Sequence, residues 1–265
     1  MSRTLQLRLA YNGERFSGWQ IQPDQRTVQG VLSDAIRSIC GETVVPKGSS
    51  RTDAGVHAAD QVASFTTSSP FTPDVWRRAL NAHLPKDVVV LRSSEVHSSF
   101  DPITEATTKR YRYRIHDGDV RPVLARPFVW QWNSRLNVSA MEEASSFLIG
   151  EHDFTSFENP SSPRASKVRK VNDLTIQRRD GGEGTPDSEI WIEIEGNGFL
   201  YNMVRIIAGT LLMVGASKRP ETWVGNVLAE RNRTSAGPTA PPQGLLLLQI
   251  NLQPQTVTVR NGSSS

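Results

Sequence analysis

Apolar and polar positions alternate over residues 4–11, with Leu5, Leu7, Leu9 and Tyr11 set against polar neighbours, and the two-residue period predicts a half-buried strand. The period then lengthens. Val28, Val31, Leu32, Ala35, Ile36 and Ile39 recur at helical spacing, with Thr27 placed to cap that helix and Gly41 to end it. Residues 61–66 read as another strand. Thr72 and Pro73 open a second helix running to about Leu84, with proline at the first helical position, where its missing N–H has no partner to lose.

The rhythm repeats further on. Residues 109–116 alternate Tyr111, Tyr113 and Ile115 with Arg110, Arg112 and Arg114, which predicts a strand. Ser139-Ala-Met-Glu142 has capping-box form, before a helix expected to stop at Gly150. Residues 171–178 and 189–195 predict strands, the second with Ile190, Ile192 and Ile194 on one face, and residues 180–188 a long hairpin loop. Residues 199–213 and 220–229 predict helices, and residues 245–252 a closing strand. Strands interspersed with helices in two halves of similar pattern predict an α+β protein. The expected division is an N-terminal half over residues 1–103, a C-terminal half over 104–253 and a flexible tail over 254–265, with a mobile loop at residues 159–163.

Composition narrows the class. A chain of 265 residues that is 37% hydrophobic and 22% charged fits a globular protein. It can bury roughly three quarters of its unfolded surface, so neither metal nor disulfide is needed for stability. Cys40 is the only cysteine, which excludes an intrachain disulfide, suits a reducing compartment, and falls at a helix end as a packing residue. The N-terminus lacks a signal-peptide pattern, and the apolar stretches near Leu211 and at residues 245–248 are too short to span a bilayer, so a cytoplasmic protein is expected. Net charge is +3, from 30 Lys and Arg against 27 Asp and Glu, so basicity matters only where it clusters. It clusters at Arg110, Arg112 and Arg114, and at Arg164, Lys167, Arg169 and Lys170. Such patches suit a polyanion, although a solvated surface loop carries the same pattern.

The segment from Gly48 to Ala58, GSSRTDAGVHA, is too polar and glycine-punctuated for core and reads as a loop. Arg51, Thr52, Asp53 and His57 bring a cation, a hydroxyl, a carboxylate and an imidazole within seven residues. A hydrolytic triad would use Asp53 and His57, but no serine stands in a nucleophile elbow. A metal site would use His57 and Asp60, but the five histidines are scattered and no paired-cysteine or H-E-x-x-H spacing exists. Asp53 as a turn residue bonding nearby backbone amides stays open beside both.

The string RTDAGVHA closely resembles the signature of the TruA family of tRNA pseudouridine synthases, and further strings follow in that family's order. They are Phe16-Ser-Gly-Trp-Gln-Ile-Gln22 with Thr27-Val-Gln-Gly30, Lys109-Arg-Tyr-Arg-Tyr113, Gly150-Glu-His-Asp-Phe-Thr-Ser-Phe157, the run from Gly196 to Arg205, and Ala240-Pro-Pro-Gln-Gly-Leu245. The resemblance implies a pseudouridine synthase fold, in which two similar α/β halves with largely antiparallel sheets meet at a central RNA-binding cleft. It implies isomerisation of uridine at positions 38, 39 and 40 of the tRNA anticodon arm, by a homodimer, without metal or organic cofactor. The glycine-rich run from Gly181 to Gly184 agrees in lacking the Lys-Ser/Thr that phosphate binding requires. A tRNA-binding protein of the same scaffold without turnover is the alternative.

Carried residue by residue, the resemblance makes Asp53 the catalytic carboxylate, Arg205 its basic partner and Tyr111 the active-site tyrosine. Arg51 is expected to hold the gap left by the flipped base, and Leu245, Thr52 and His57 to contact substrate. Arg15, Gln20, Arg110, Arg112 and Arg114 are expected along the RNA, and the apolar region at residues 211–214 at the dimer interface. Two departures stand out. Asp101-Pro-Ile103 replaces the family's His-Ala-Arg, removing a positive charge, and Ser50 stands where glycine is common.

Overall fold

The opening alternation becomes β1 (Arg3–Tyr11), in which Leu5, Leu7 and Leu9 are fully buried. A computed structural model of the chain describes residues 2–161, 165–179 and 189–254. Arg164, part of the expected mobile loop, the expected hairpin loop at 180–188 with its glycine run, and the tail from residue 255 lie outside them.

Helix α1 (Val28–Cys40) starts where Thr27 Oγ1 accepts the Gly30 N–H at 3.2 Å, and ends with the Gly41 N–H bonded to Arg37 O. The short β2 (Lys47–Gly48) leads by a loop into β3 (His57–Thr67), which starts four residues earlier than its alternation suggests. Helix α2 (Pro73–His83) is capped by Thr72 and buries Trp76 and Leu80. β4 (Val88–Val96) has no counterpart in the sequence reading. Its apolar Val88-Val-Val-Leu run passes into a polar Arg-Ser-Ser-Glu half, so neither strand signature is sustained, and its outer residues Val89 and Leu91 remain exposed at the sheet edge.

β5 (Ala106–His116) and the two-residue β6 (Trp130–Gln131) precede α3 (Val138–Ser145). Asn137 caps α3 by accepting the Ala140 N–H at 3.1 Å, so Ser139-Ala-Met-Glu142 lies inside the helix instead of opening it. After a short 3-10 turn, Gly150 begins a strand, β7 (Gly150–Asp153). β8 (Val168–Arg179) and β9 (Glu189–Gly196) follow. Helix α4 (Met203–Gly215) starts four residues later than its apolar run, because Asn202 adopts φ +61°. α5 (Trp223–Glu230) and β10 (Leu245–Leu252) complete the described chain.

Among the described residues the strands form one sheet in the order β4-β1-β3-β10-β5-β9-β8-β7, with β2 paired to β3 and β6 to β5. Pairing is antiparallel along that path except between β3 and β10. The two expected halves therefore share a sheet. β10, from the end of the C-terminal half, lies between β3 of the first half and β5 of the second.

α4 is buried all round, with only Arg205 and Met213 short of full burial. Leu211, Leu212 and Val214 are at most 2% exposed, so the 211–214 region packs the core of one chain and not the subunit surface expected of it. Each such fully buried side chain contributes roughly 1.5–3 kcal/mol. The chain at Gly237–Ala240 presses against α4 so closely that a Cβ on Gly209 would lie 1.9 Å from Pro238 O, and only glycine fits there. Among the described residues no helix is long and apolar enough to cross a membrane.

Candidate active site

The loop between β2 and β3 is held from beneath by side chains of the sheet. Gln61, fully buried, donates Nε2 to Ser50 O at 2.7 Å and accepts the Ser50 N–H at 3.2 Å, fixing the backbone of that residue on both sides. Tyr11 Oη lies 2.8 Å from Thr52 Oγ1. The Phe16-Ser-Gly-Trp segment backs the loop through main chain: Trp19 N–H donates to Thr52 O at 3.0 Å and Gly55 N–H to Phe16 O at 3.1 Å. Gly18 has φ +91°, and a Cβ there would lie 2.6 Å from Thr52 O. Two strings well separated in the sequence thus form one rigid turn.

That turn carries Asp53 toward α4. Asp53 Oδ2 accepts Arg205 Nη1 at 3.0 Å and Asn202 Nδ2 at 2.6 Å. The Asp53 and Arg205 side chains are 19% and 15% exposed, so the pair is largely shielded from water, and the attraction exceeds that of a surface pair. Arg205 is itself clamped, because its Nε donates to Ala240 O at 2.8 Å while its own carbonyl accepts the Ala240 N–H. The Ala-Pro-Pro string therefore acts by aiming a guanidinium. Oδ1 of Asp53 accepts no hydrogen bond from any described residue.

Tyr111 points inward from β5 to the same place. Its ring meets Phe199 edge-on at 5.2 Å, and its Oη lies 2.8 Å from Ser50 Oγ. Burial pushes its phenol well above the ordinary value of 10; the Ser50 hydrogen bond opposes that rise, and the nearby Asp53 charge adds to it. Tyr111 is a protonated phenol at neutral pH. Tyr113 is different in kind, a core residue whose hydroxyl donates to Pro241 O.

The remaining expected site residues divide. Arg51 is exposed beside Asp53 and makes no hydrogen bond or ion pair with a described residue. Arg15 and Gln20 are exposed around the Phe16 segment. Thr52 is buried, its hydroxyl given to Tyr11, whose phenol burial pushes up to about 12. His57 is buried with both ring nitrogens used: Nδ1 accepts the Gly13 N–H and Nε2 donates to Pro127 O, each at 3.0 Å. Burial lowers its pKa, so the ring is neutral and ties backbone segments together instead of facing Asp53. Leu245 pairs across from Tyr113, while Leu247 stands across from Tyr111. Arg110, Arg112 and Arg114 project from the opposite face of β5 into carboxylates. Arg110 bonds Glu195, Glu193 and Asp173, Arg112 bonds Glu193, and Arg114 bonds Glu189. Asp101 caps its own turn and pairs with Lys47, next to the loop that carries Asp53.

Sequence reasoning missed Asn202, Gln61, Phe199 and the Ser50 hydroxyl. Asn202 and Phe199 lie within the run ending at Arg205, but an amide and a phenyl carry no signal of charge. Among the described residues no group of three or more His, Cys, Asp or Glu is placed to hold a metal ion. A cavity of about 340 Å³, lined by Tyr11, His57, Phe128 and Leu246 among others, touches neither Asp53, Tyr111 nor Arg205. The chemistry available at Asp53 is that of an oriented carboxylate: one oxygen is fixed by a cation and an amide, and the other can attack an electrophilic carbon or accept a proton.

The family model described as tRNA pseudouridine synthase matches residues 9–102 and 144–251. The tRNA pseudouridine synthase A of Thermoanaerobacter sp. (strain X514) is 44% identical over 248 residues, covering 94% of this chain and 99% of that protein. That of Brevibacillus brevis is 43% identical over 242 residues, covering 91% and 96%. Among solved structures, a Cbf5-Nop10-Gar1 complex aligns over 78% of this chain and 54% of its own at 13% identity, with a TM-score of 0.30, too loose a likeness to bear on the site.

Proposed function

The chain belongs to the tRNA pseudouridine synthase family, and on that premise we propose that it isomerises uridine at positions 38, 39 and 40 of the anticodon arm with Asp53 as the catalytic carboxylate. The observation that carries the assignment is the Asp53–Arg205 pair, which fixes one carboxylate oxygen and leaves the other without a donor among the described residues, beside a buried tyrosine and an exposed arginine.

In the reaction the C1′–N1 bond breaks, the uracil turns, C5 bonds C1′, and the proton lost from C5 is balanced by one gained at N1. Asp53 Oδ1 adds to C1′ or takes the C2′ proton. In both routes Arg205 balances the carboxylate's charge and holds its direction, so that the reactive oxygen is in place before substrate arrives. Tyr111, whose phenol burial pushes further above its ordinary value, supplies a rigid aromatic wall for the turned-out base and a hydroxyl for hydrogen bonding. Extruding a base costs a few kcal/mol. Arg51, whose guanidinium has no partner among the described residues, is assigned to the space the base leaves, where it can stack and pair with phosphate at once. Arg15 and Gln20 contact the RNA backbone nearby. Arg110, Arg112 and Arg114, already paired with carboxylates, are assigned to the fold. The halves at residues 1–103 and 104–253 act as one body around this site, and the enzyme works in the cytoplasm as a homodimer.

The test is release of tritium from tRNA labelled at uridine C5. Wild-type protein is expected to release it, and Asp53→Asn to lose on the order of a thousandfold or more in rate while still binding tRNA. Equal release from both proteins would overturn the assignment of Asp53. No release from either, with tRNA saturating, would point to a binding protein without turnover.

A further inference from the structure

Asn202 occupies the position from which an asparagine ordinarily caps a helix, yet its side chain makes no capping bond to α4. Its backbone is held at φ +61°, ψ 6°, a left-handed conformation that asparagine adopts at some cost. Both the missing cap and the backbone strain have the same outcome: the side-chain amide is turned toward Asp53. Its Nδ2 lies 2.6 Å from Asp53 Oδ2, and its Oδ1 accepts Asn159 Nδ2 at 3.0 Å.

The direction of this chain is dictated by its two ends. At one end the Ser161 N–H, which can only donate, meets Asn159 Oδ1 at 3.1 Å, with the Ser161 hydroxyl on the same oxygen at 3.0 Å. Asn159 must therefore present Nδ2 to Asn202, and Asn202 must present Nδ2 to the carboxylate, which can only accept. A flip of either amide would set oxygen against oxygen. The Asn159 N–H also bonds Tyr201 O at 3.0 Å, tying the backbone on which Asn202 turns.

We infer that Asn159 and Asn202 form a polarised amide relay that positions Asp53: the relay fixes Oδ2 from a second side, so that Arg205 and Asn202 together set the carboxylate plane and aim Oδ1 at the ribose. This rests on the reading of Asp53 as catalytic. Asn202 and Asn159 are positioning residues; neither needs to touch substrate.

Asn202→Gly is the decisive variant, since glycine takes a positive φ without a Cβ and removes the amide alone. Single-turnover tritium release across a range of tRNA concentrations is expected to show kcat lowered about ten- to hundredfold, with KM, tRNA binding and melting temperature unchanged. Asn159→Ala, which leaves the left-handed residue untouched, is expected to lower kcat several-fold, again without change in KM. Combining the two is expected to give the rate of Asn202→Gly alone, because a relay broken at its last link gains nothing from its first. A wild-type kcat in either single variant, or a double-variant loss equal to the product of the two, would overturn the relay. Asp53→Asn, run alongside, separates the two claims. If that protein stays active the catalytic reading itself fails, whereas an inactive Asp53→Asn with a fully active Asn202→Gly refutes only the relay.

Discussion

The arginines of β5 and the arginine of α4 lie on opposite faces of the same sheet and have opposite fates. Arg110, Arg112 and Arg114 face Glu189, Glu193, Glu195 and Asp173 on neighbouring strands, and Arg112 also covers the Trp191 ring at 3.7 Å. Their charge is met by carboxylates within the fold. Arg205, isolated on a buried helix, meets the single carboxylate of Asp53, and the backbone carbonyl of Ala240 fixes its direction. Three arginines in a row announce a polyanion surface only if no acidic strand lies beside them. The acidic alternation of residues 189–195 is that strand, and the pairing appears once β5 and β9 are set in register, Arg112 opposite Glu193. An arginine in an apolar run is the stronger functional sign, because burying it demands a partner.

The largest expected effect tests the inner arginine. Arg205→Ala should lower the single-turnover rate about a hundredfold or more, because a largely shielded carboxylate loses its counter-charge. Arg205→Lys should not restore it, since one ammonium cannot reproduce the guanidinium fork between Ala240 O and Asp53. A rate within a few-fold of wild type in either variant would break the contrast between the faces. The next test sets Arg51 against Arg112 in a titration of tRNA affinity against salt. Arg51→Ala should reduce the slope of log K against log salt by about 1, and Arg112→Gln should leave it unchanged. A reduced slope for Arg112→Gln would return the β5 arginines to the RNA. The smallest effect concerns His57, a loop-motif residue spent in the fold as the β5 arginines are. Its folded-state pKa is lowered, so the unfolded chain binds its proton more readily; the stability tied to the neutral ring is present above the ordinary value of 6.5 and is lost as pH falls below it. The melting temperature of wild type should fall more steeply from pH 7 to pH 5 than that of His57→Gln, and parallel slopes would show that the buried ring does not titrate on unfolding.

Much of the architecture was legible where one periodicity ruled a whole element. Leu5, Leu7 and Leu9 marked β1, the Thr27 cap and Gly41 bounded α1, and Pro73 opened α2. Legibility failed where tertiary contact decided. β4 gains its strand character by pairing with β1 at the sheet edge, and α4 begins at Met203 because Asn202 is turned toward Asp53. At the site, Asp53, Tyr111 and Arg205 were readable as charged or aromatic residues within recurring strings, and the structure brings all three together. The amides were not, since Gln61 and Asn202 act through geometry that no composition expresses. His57 shows the converse: an imidazole inside the motif whose two nitrogens are both consumed by backbone.

The placement of β10 has a consequence for truncation of the chain. Among the described residues β3 and β5 join within the sheet through that strand, which follows every other strand of the sheet along the chain. β1, β3 and β4 lie on one side of it and β5, β8 and β9 on the other, with Ser50 on the first side and Tyr111 on the second. A chain truncated before Leu245 would keep Asp53, Tyr111 and Arg205 but lack the strand that joins the two sides of the sheet, and it is expected to lose tritium release.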